Sequence, residues 1–422
     1  MGLNDDAWER LFERYRICEH VQQDGSFLIS AAQIRQYREP RLMTKFDHIV
    51  NLPAVFARNG LAILPVSRGD YIISAFDAYH TFEEPSDSRV RVRLPARLQS
   101  LASQYLTSEA IALNCAEACG VLSDFLRDED LTPTVSGRMG SGRFDFTIDG
   151  RAGRRSVSVE NAQIEIDAAY EGARFLSLFE AKCSRSHDFL IRQLYYPFRT
   201  WRERVRKPVK PVFFLFTGGV FYLYEYRFTD PLCYNSLTLV RCKTYMLDAG
   251  ISRSDVEHLA HTVRTRPEPR VPFPQANSFE RVINLLELLA RQPLARGAVT
   301  GQYLFTERQT QYYTDAGRYL GLVKRTADPL GPVFALTERG ERLMGLDLRQ
   351  RRLGLAEAIL EHGAFNEVFR LWLARGQAPD AGEVVHIMRR SRLYRVGSDS
   401  TYARRASSLL RWLGWIFSIV ED

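Results

Sequence analysis

Ile164-Glu165-Ile166-Asp167 and Leu178-Phe179-Glu180-Ala181-Lys182 read as two short strands, the first ending on an acid and the second on an acid-x-lysine triplet. Strand positions two apart share a face, so Glu180 and Lys182 point the same way. Asp167 lies thirteen positions before Glu180, and the midpoint falls near Gly172-Ala173, inside the turn-like stretch Tyr170-Glu171-Gly172-Ala173-Arg174. A hairpin with that symmetry returns Asp167 to the side of Glu180. Two carboxylates and one ammonium then converge at one end of a β-ribbon. Apolar residues at alternate positions, Ile164 and Ile166 then Leu176 and Leu178, give both strands a core face. Hard oxygen ligands suit Mg²⁺, and a metal-bound water near a lysine suits phosphodiester hydrolysis.

The pattern resembles the PD-(D/E)XK nuclease superfamily, most closely its type II restriction endonucleases. The resemblance implies that Asp167 and Glu180 hold the metal together with the Ala181 carbonyl, and that Lys182 orients or activates water. Ile166 stands where many members have proline, which leaves the first acid open. Its rivals are Asp145, in Arg143-Phe144-Asp145-Phe146, which needs an extra strand before Glu180, and Glu165, which would share a strand face with Asp167. Residues 188–196 read as a helix after the lysine strand, where the family often carries a glutamine, and Gln193 fits that place. Gln193-Leu194-x-Tyr196 also looks like the glutamine-tyrosine motif of the superfamily's recombination nucleases. Ser108 caps a long helix over 108–127. Its Glu109 resembles the early glutamate of the superfamily's first core helix; an acid there also suits the positive helix end on its own account. By the same resemblance the products carry a 5′-phosphate and a 3′-hydroxyl.

Composition bounds the alternatives. With 422 residues, the chain expects two or three domains. Its 45% apolar and 25% charged residues are ordinary for a globular protein, and its net charge of +7 favours a polyanionic partner. No apolar run reaches the length of a membrane span, and the N-terminus lacks a basic-then-apolar signal region. A cytoplasmic protein with no membrane association is expected. The six scattered cysteines have no paired histidines and read as reduced core residues.

Three parts follow from the chain's punctuation. Residues 1–95 read as an α/β module: helices over 5–18, 30–38 and 42–50, then strands over 61–65 and 70–74. Residues 96–265 form the nuclease-like domain. Within it Ser136-Gly137-Arg138-Met139-Gly140-Ser141-Gly142-Arg143 reads as a glycine-rich loop whose Arg138 and Arg143 can meet phosphates. Between Arg199 and Lys210 six basic residues and one acid suggest a patch that tracks a DNA backbone. The run 212–216 is apolar throughout and expects a buried central strand. Residues 266–274 are a proline-rich linker.

Residues 275–422 read as mostly helical. Ser278 and Thr306 cap helices, Gly321 ends the second, and a β-wing precedes Thr337-Glu338-Arg339-Gly340. That order resembles a winged helix-turn-helix whose reading helix offers Arg308, Gln309, Gln311 and Tyr312 to DNA. A second copy is suggested 93 residues on, where Arg411, Leu413 and Gly414 align with Arg318, Leu320 and Gly321. The arginines around it, Arg404 and Arg405 among them, would contact DNA.

The expected fold is mixed α/β, with a PD-(D/E)XK restriction-endonuclease-like core between the N-terminal module and the winged-helix region. The expected function is a Mg²⁺-dependent type II restriction endonuclease acting on double-stranded DNA, a homodimer with a cognate DNA methyltransferase as its genetic partner. Two other readings stay open: a structure-specific repair or recombination nuclease, and a winged-helix regulator on an inactive nuclease scaffold.

Overall fold

A seven-stranded mixed sheet carries both motif strands in its interior. Across the sheet the strands are Arg89–Val92, Leu237–Leu247, Val220–Phe228, Val209–Thr217, Leu176–Lys182, Gln163–Glu171 and Thr132–Gly140. This computed structural model describes residues 3–421 except 86–87, 102–105, 107, 151–152, 304–306 and 330.

The motif strands pair antiparallel, with Leu176 opposite Glu171 and Phe179 opposite Ala168. The next step of that register sets Glu180 opposite Asp167. The turn is closed by the Gly172 N–H donating to the Phe175 carbonyl (3.0 Å). Glycine is required there, because a Cβ on Gly172 would stand 2.4 Å from the Asp128 carboxylate. On its other side Leu176–Lys182 runs parallel to Val209–Thr217, through the crossover helix Arg192–Arg202.

Alternation sorts the two faces. Phe179, Ala181, Val212, Phe214 and Phe216 pack with the helices Glu109–Ala118 and Val121–Leu126. Leu176, Leu178, Phe213 and Leu215 pack with the crossover helix and with the hairpin Arg143–Gly150/Gly153–Glu160. Ile166 and Ala169, three apart, both enter this second core. A shift in register between the Val135–Ala169 and Gly137–Ile166 pairs marks the bulge responsible. Strict alternation therefore fails at Asp167, and Glu165 does not keep the shared face expected of it.

The chain departs from the sequence reading in several places. The helix expected over 108–127 is two helices, broken at Gly120, whose φ is +73°. Asp188–Leu190 is a strand paired with Tyr79–Thr81, and the helix begins only at Arg192. The glycine-rich stretch is the end of the strand Thr132–Gly140 and a tight turn, not a loop. The N-terminal module holds short helices Leu3–Arg14, Ile17–Asp24, Ala31–Arg35, Pro40–Met43 and Ala54–Asn59 beside a three-stranded sheet. Its strand Ser26–Ser30, paired with Asp70–Ser74, gave no distinct sequence signal. The boundary at 95 is too late, because Tyr79–Thr81 and Arg89–Val92 already pair with strands of the central domain.

The proline-rich stretch is not a loose linker. Phe273 is fully buried, stacked on Phe365, and Glu268 accepts the Tyr319 hydroxyl (2.6 Å). Prolines forbid a regular ladder there but not packing. Beyond it the order is helix Phe279–Arg291, strand Leu294–Ala295, helices Arg296–Tyr303 and Glu307–Tyr319, paired strands Val323–Thr326 and Val333–Leu336, and helix Glu338–Met344. Ser278 caps its helix as expected, and Thr337 caps the helix Glu338–Met344; Thr306 lies outside the described residues. Gly340 lies against the Leu322 carbonyl, 2.3 Å from where a Cβ would sit. Gly340→Ala is expected to cost about 1–3 kcal/mol, since backbone must shift; an unchanged urea midpoint would show that this contact relaxes freely.

Among the described residues no second copy forms. Gly321 (φ +70°) turns the chain into a strand, whereas Gly414 lies inside the helix Asp399–Ser418 and no strand follows it. Trp412, Leu413, Trp415 and Ile416 are instead one buried helical face. The last four helices, Leu348–Leu360, Gly363–Arg375, Ala381–Arg390 and Asp399–Ser418, pack on the helix Phe279–Arg291 and its neighbours in one core. No helix among the described residues is long and apolar enough to cross a membrane.

Candidate active site

At the end of the lysine strand six side chains or carbonyls meet. The Ala181 N–H donates to Asp167 Oδ2 (2.7 Å), tying the first acid to the neighbouring strand. Lys182 Nζ donates to Glu180 Oε1 (2.5 Å) and to the Ala181 carbonyl (3.1 Å), and stands 4.0 Å from Asp167 Oδ2. Gln193, one residue into the crossover helix, donates through Nε2 to Glu180 Oε1 (2.6 Å). Glu109, first in its helix, accepts the Cys183 N–H (3.4 Å).

Burial dominates the electrostatics. The Glu180 side chain is 10% exposed, and its carboxyl is pushed up to about 7, first by desolvation and then by Asp167, against the pull of Lys182. Burial also raises Asp167, with Lys182 and the Ala181 N–H opposing. For Lys182 burial works against the charged form, yet Glu180 and Asp167 outweigh it and hold the ammonium protonated.

These groups fit a hard divalent cation. Two carboxylates and a carbonyl point at one place, and an ammonium already bonds two of the three. The Gln193 Oε1 is buried without a partner, an acceptor that a water could donate to. Among the described residues no three His, Cys, Asp or Glu side chains stand close enough to hold a metal ion by themselves. The set is thus two acids and a backbone carbonyl, and water and substrate oxygens would complete the shell.

The rival first acids are placed elsewhere. Asp145 is exposed on the separate hairpin, opposite Ser158. Glu165 is exposed and pairs with Arg138 (3.2 Å). Tyr196 is fully buried and spends its hydroxyl on the Pro65 carbonyl (2.8 Å), so it adds nothing to Gln193 at the site.

The arginines fall into two groups. Arg138 and Arg143 are exposed near Gly140, with Arg204 donating to the Gly140 carbonyl (3.5 Å). The patch over 199–210 is only partly a surface. Arg199 is buried on the Asp145 carbonyl, while Lys207 and Lys210 are held by Gly172 and Leu126 carbonyls. In the C-terminal region Arg308, Gln309 and Arg404 are exposed. Arg308 bonds the Tyr312 hydroxyl, and Gln311 donates to Asp315 (2.7 Å). Arg405 is not an exposed contact; its Nε and Nη1 are buried, and burial lowers its pKa.

Sequence reasoning missed what the N-terminal module supplies. Asp188, six residues past Lys182, accepts the Ile49 N–H (3.3 Å) and meets His48 Nδ1 (3.2 Å). Asp47 stands near enough to raise both Glu180 and Lys182. Nothing in Asp47-His48 as sequence points to residue 188.

Three family models match successive parts of the chain, each described as a domain of unknown function: DUF6996 over 5–73, DUF6997 over 74–246 and DUF7226 over 281–421. The second begins just before the strand Tyr79–Thr81, and contains every residue of the convergent site. No curated protein and no solved structure matches the chain.

Proposed function

We propose that the chain is a Mg²⁺-dependent DNA endonuclease of the PD-(D/E)XK type, a restriction enzyme that cuts double-stranded DNA at a specific sequence. The observation that carries the reading is the convergence of Asp167, Glu180, the Ala181 carbonyl and Lys182, with Gln193 bonded to Glu180. Within the seven-stranded sheet the antiparallel strands Thr132–Gly140, Gln163–Glu171 and Leu176–Lys182, followed by the crossover helix and the parallel strand Val209–Thr217, support it, resembling the superfamily's core with a hairpin inserted after the first strand. The order of elements from Phe279 to Met344 is that of a winged helix-turn-helix and supports sequence reading by the exposed Arg308 and Gln309.

A bound Mg²⁺ would supply Lewis-acid polarisation of a phosphodiester at this site. Asp167, Glu180 and the Ala181 carbonyl would hold it. Lys182 puts its ammonium where negative charge develops on the phosphate. Gln193 keeps its amide N–H on Glu180 and offers its Oε1, an acceptor, to a water. Water oxygen adds to phosphorus, the 3′ oxygen leaves and takes up a proton, and the ends are a 5′-phosphate and a 3′-hydroxyl.

The test is digestion of several unmethylated DNAs of known sequence with and without Mg²⁺. Discrete fragments that require the metal are the expected result. Binding without cutting on any substrate would replace this reading with that of a DNA-binding regulator on a nuclease scaffold.

Glu180 gives a test that needs no cutting. Its carboxyl titrates at about 7 in the fold against an ordinary 4.5, so the metal-free fold holds a proton that the unfolded chain releases between those values. Stability therefore falls as pH climbs through that window. Metal binding needs the ionised form, so the rise in melting temperature caused by Mg²⁺ should be larger near about pH 8 than near about pH 5.5. An equal rise at both would separate Glu180 from the metal.

A further inference from the structure

The segment that follows Lys182 is held by a helix of the C-terminal region. Helix Phe279–Arg291 turns one face toward the sheet. Glu280 pairs with Arg89 (2.8 Å), and Glu287 accepts the Thr217 hydroxyl (2.7 Å) and the Gly218 N–H (3.0 Å) at the end of the strand beside the lysine strand. Between them Asn284 Oδ1 accepts the Arg185 N–H (3.3 Å). The Arg185 side chain is fixed as well, by Glu84 (3.0 Å) and over the Tyr222 ring (5.1 Å).

Asn284 is out of place by packing alone. It is 0% exposed, in a helix whose Val282, Ile283, Leu285 and Leu286 are buried too. Its Nδ2 is buried with no partner. A half-satisfied buried amide is worse than a leucine of similar volume, unless its acceptor is needed. Here the acceptor holds a backbone N–H three residues beyond Lys182.

We infer that Asn284 is a positioning residue: by accepting the Arg185 N–H it fixes residues 183–185 and with them the direction from which Lys182 meets Glu180. The inference rests on the nuclease reading for its effect on cutting, and on geometry alone for its effect on the segment. The C-terminal region thereby becomes part of the active site's construction as well as a carrier of exposed arginines.

The test uses the full chain with Asn284→Leu, which removes the acceptor, and Asn284→Asp, which keeps it. Amide hydrogen exchange over 183–187 is read by mass spectrometry, beside cutting rates. For Asn284→Leu, exchange in that segment should quicken about tenfold. Its kcat should fall while KM for DNA holds, and the pH profile of cutting should shift. Asn284→Asp should restore protection. Unchanged exchange in Asn284→Leu overturns the inference. If Asn284→Leu loosens the whole C-terminal region, Asn284→Asp decides: local protection regained supports the inference, and protection lost overturns it. Failure of the wild-type chain to cut any DNA would defeat the nuclease reading, while the exchange comparison would still decide whether Asn284 holds the segment.

Discussion

Lys182→Ala is expected to lower DNA cutting by about 10²–10³-fold or more while DNA binding is largely kept. Two losses combine. In the proposed reaction the developing phosphate charge would lose the Lys182 ammonium, and Glu180 loses the ammonium 2.5 Å away that opposes its raised pKa. The Glu180 carboxyl should therefore hold its proton to still higher pH, so the residual activity of the variant should be recovered in part by raising pH and Mg²⁺ together. Wild-type cutting by this variant would remove Lys182 from the mechanism and the assignment with it. The fold should survive, because the side chain is 27% exposed and its partners can take up water.

Trp412→Ala is expected to destabilise the C-terminal region by about 3–5 kcal/mol. Trp412 is fully buried, edge-on to Phe279 (4.9 Å) and tilted on Phe365 (5.5 Å). Its Nε1–H donates to the Ala276 carbonyl (2.7 Å), so truncation leaves a cavity and a buried acceptor without its donor. That carbonyl lies just past the proline-rich stretch, and Phe279 opens the helix that bears Asn284. Urea unfolding followed by tryptophan fluorescence and circular dichroism checks the magnitude. A loss below about 1 kcal/mol, close to what a surface substitution causes, would mean that the core re-packs around the gap.

What the sequence made legible was local. The Asp167–Glu180 pairing follows from a turn at Gly172-Ala173 and a symmetric count, and the ladder runs in that register. Ser278 announced a helix start, because a side-chain oxygen before an apolar run has one common use. The failures were long-range. Asp188-Phe189-Leu190 has the apolar character of a helix turn, and becomes a strand because Tyr79–Thr81 offers it a partner more than a hundred residues earlier. The contributions of Asn284, Asp47 and His48 depend on how separate parts dock, which residue spacing does not encode. The similarity of Tyr319-Leu320-Gly321 to Trp412-Leu413-Gly414 misled for a related reason. A glycine can end a helix or sit inside one, and the residues after it decide; Leu322 and Val323 have a strand to join, whereas Trp415 and Ile416 have a helical face to fill.

The edge strand Arg89–Val92 has a practical consequence for dissecting the chain. It runs parallel to Leu247, Met246, Tyr245 and Thr244, and closes one side of the seven-stranded sheet. A fragment started at residue 95 would uncover the backbone donors and acceptors of that long neighbour, which is a template for intermolecular pairing. Such a fragment is expected to aggregate on expression. One started near residue 74 keeps the cover and also the partner of Asp188–Leu190, and its sheet ends where the full chain ends it.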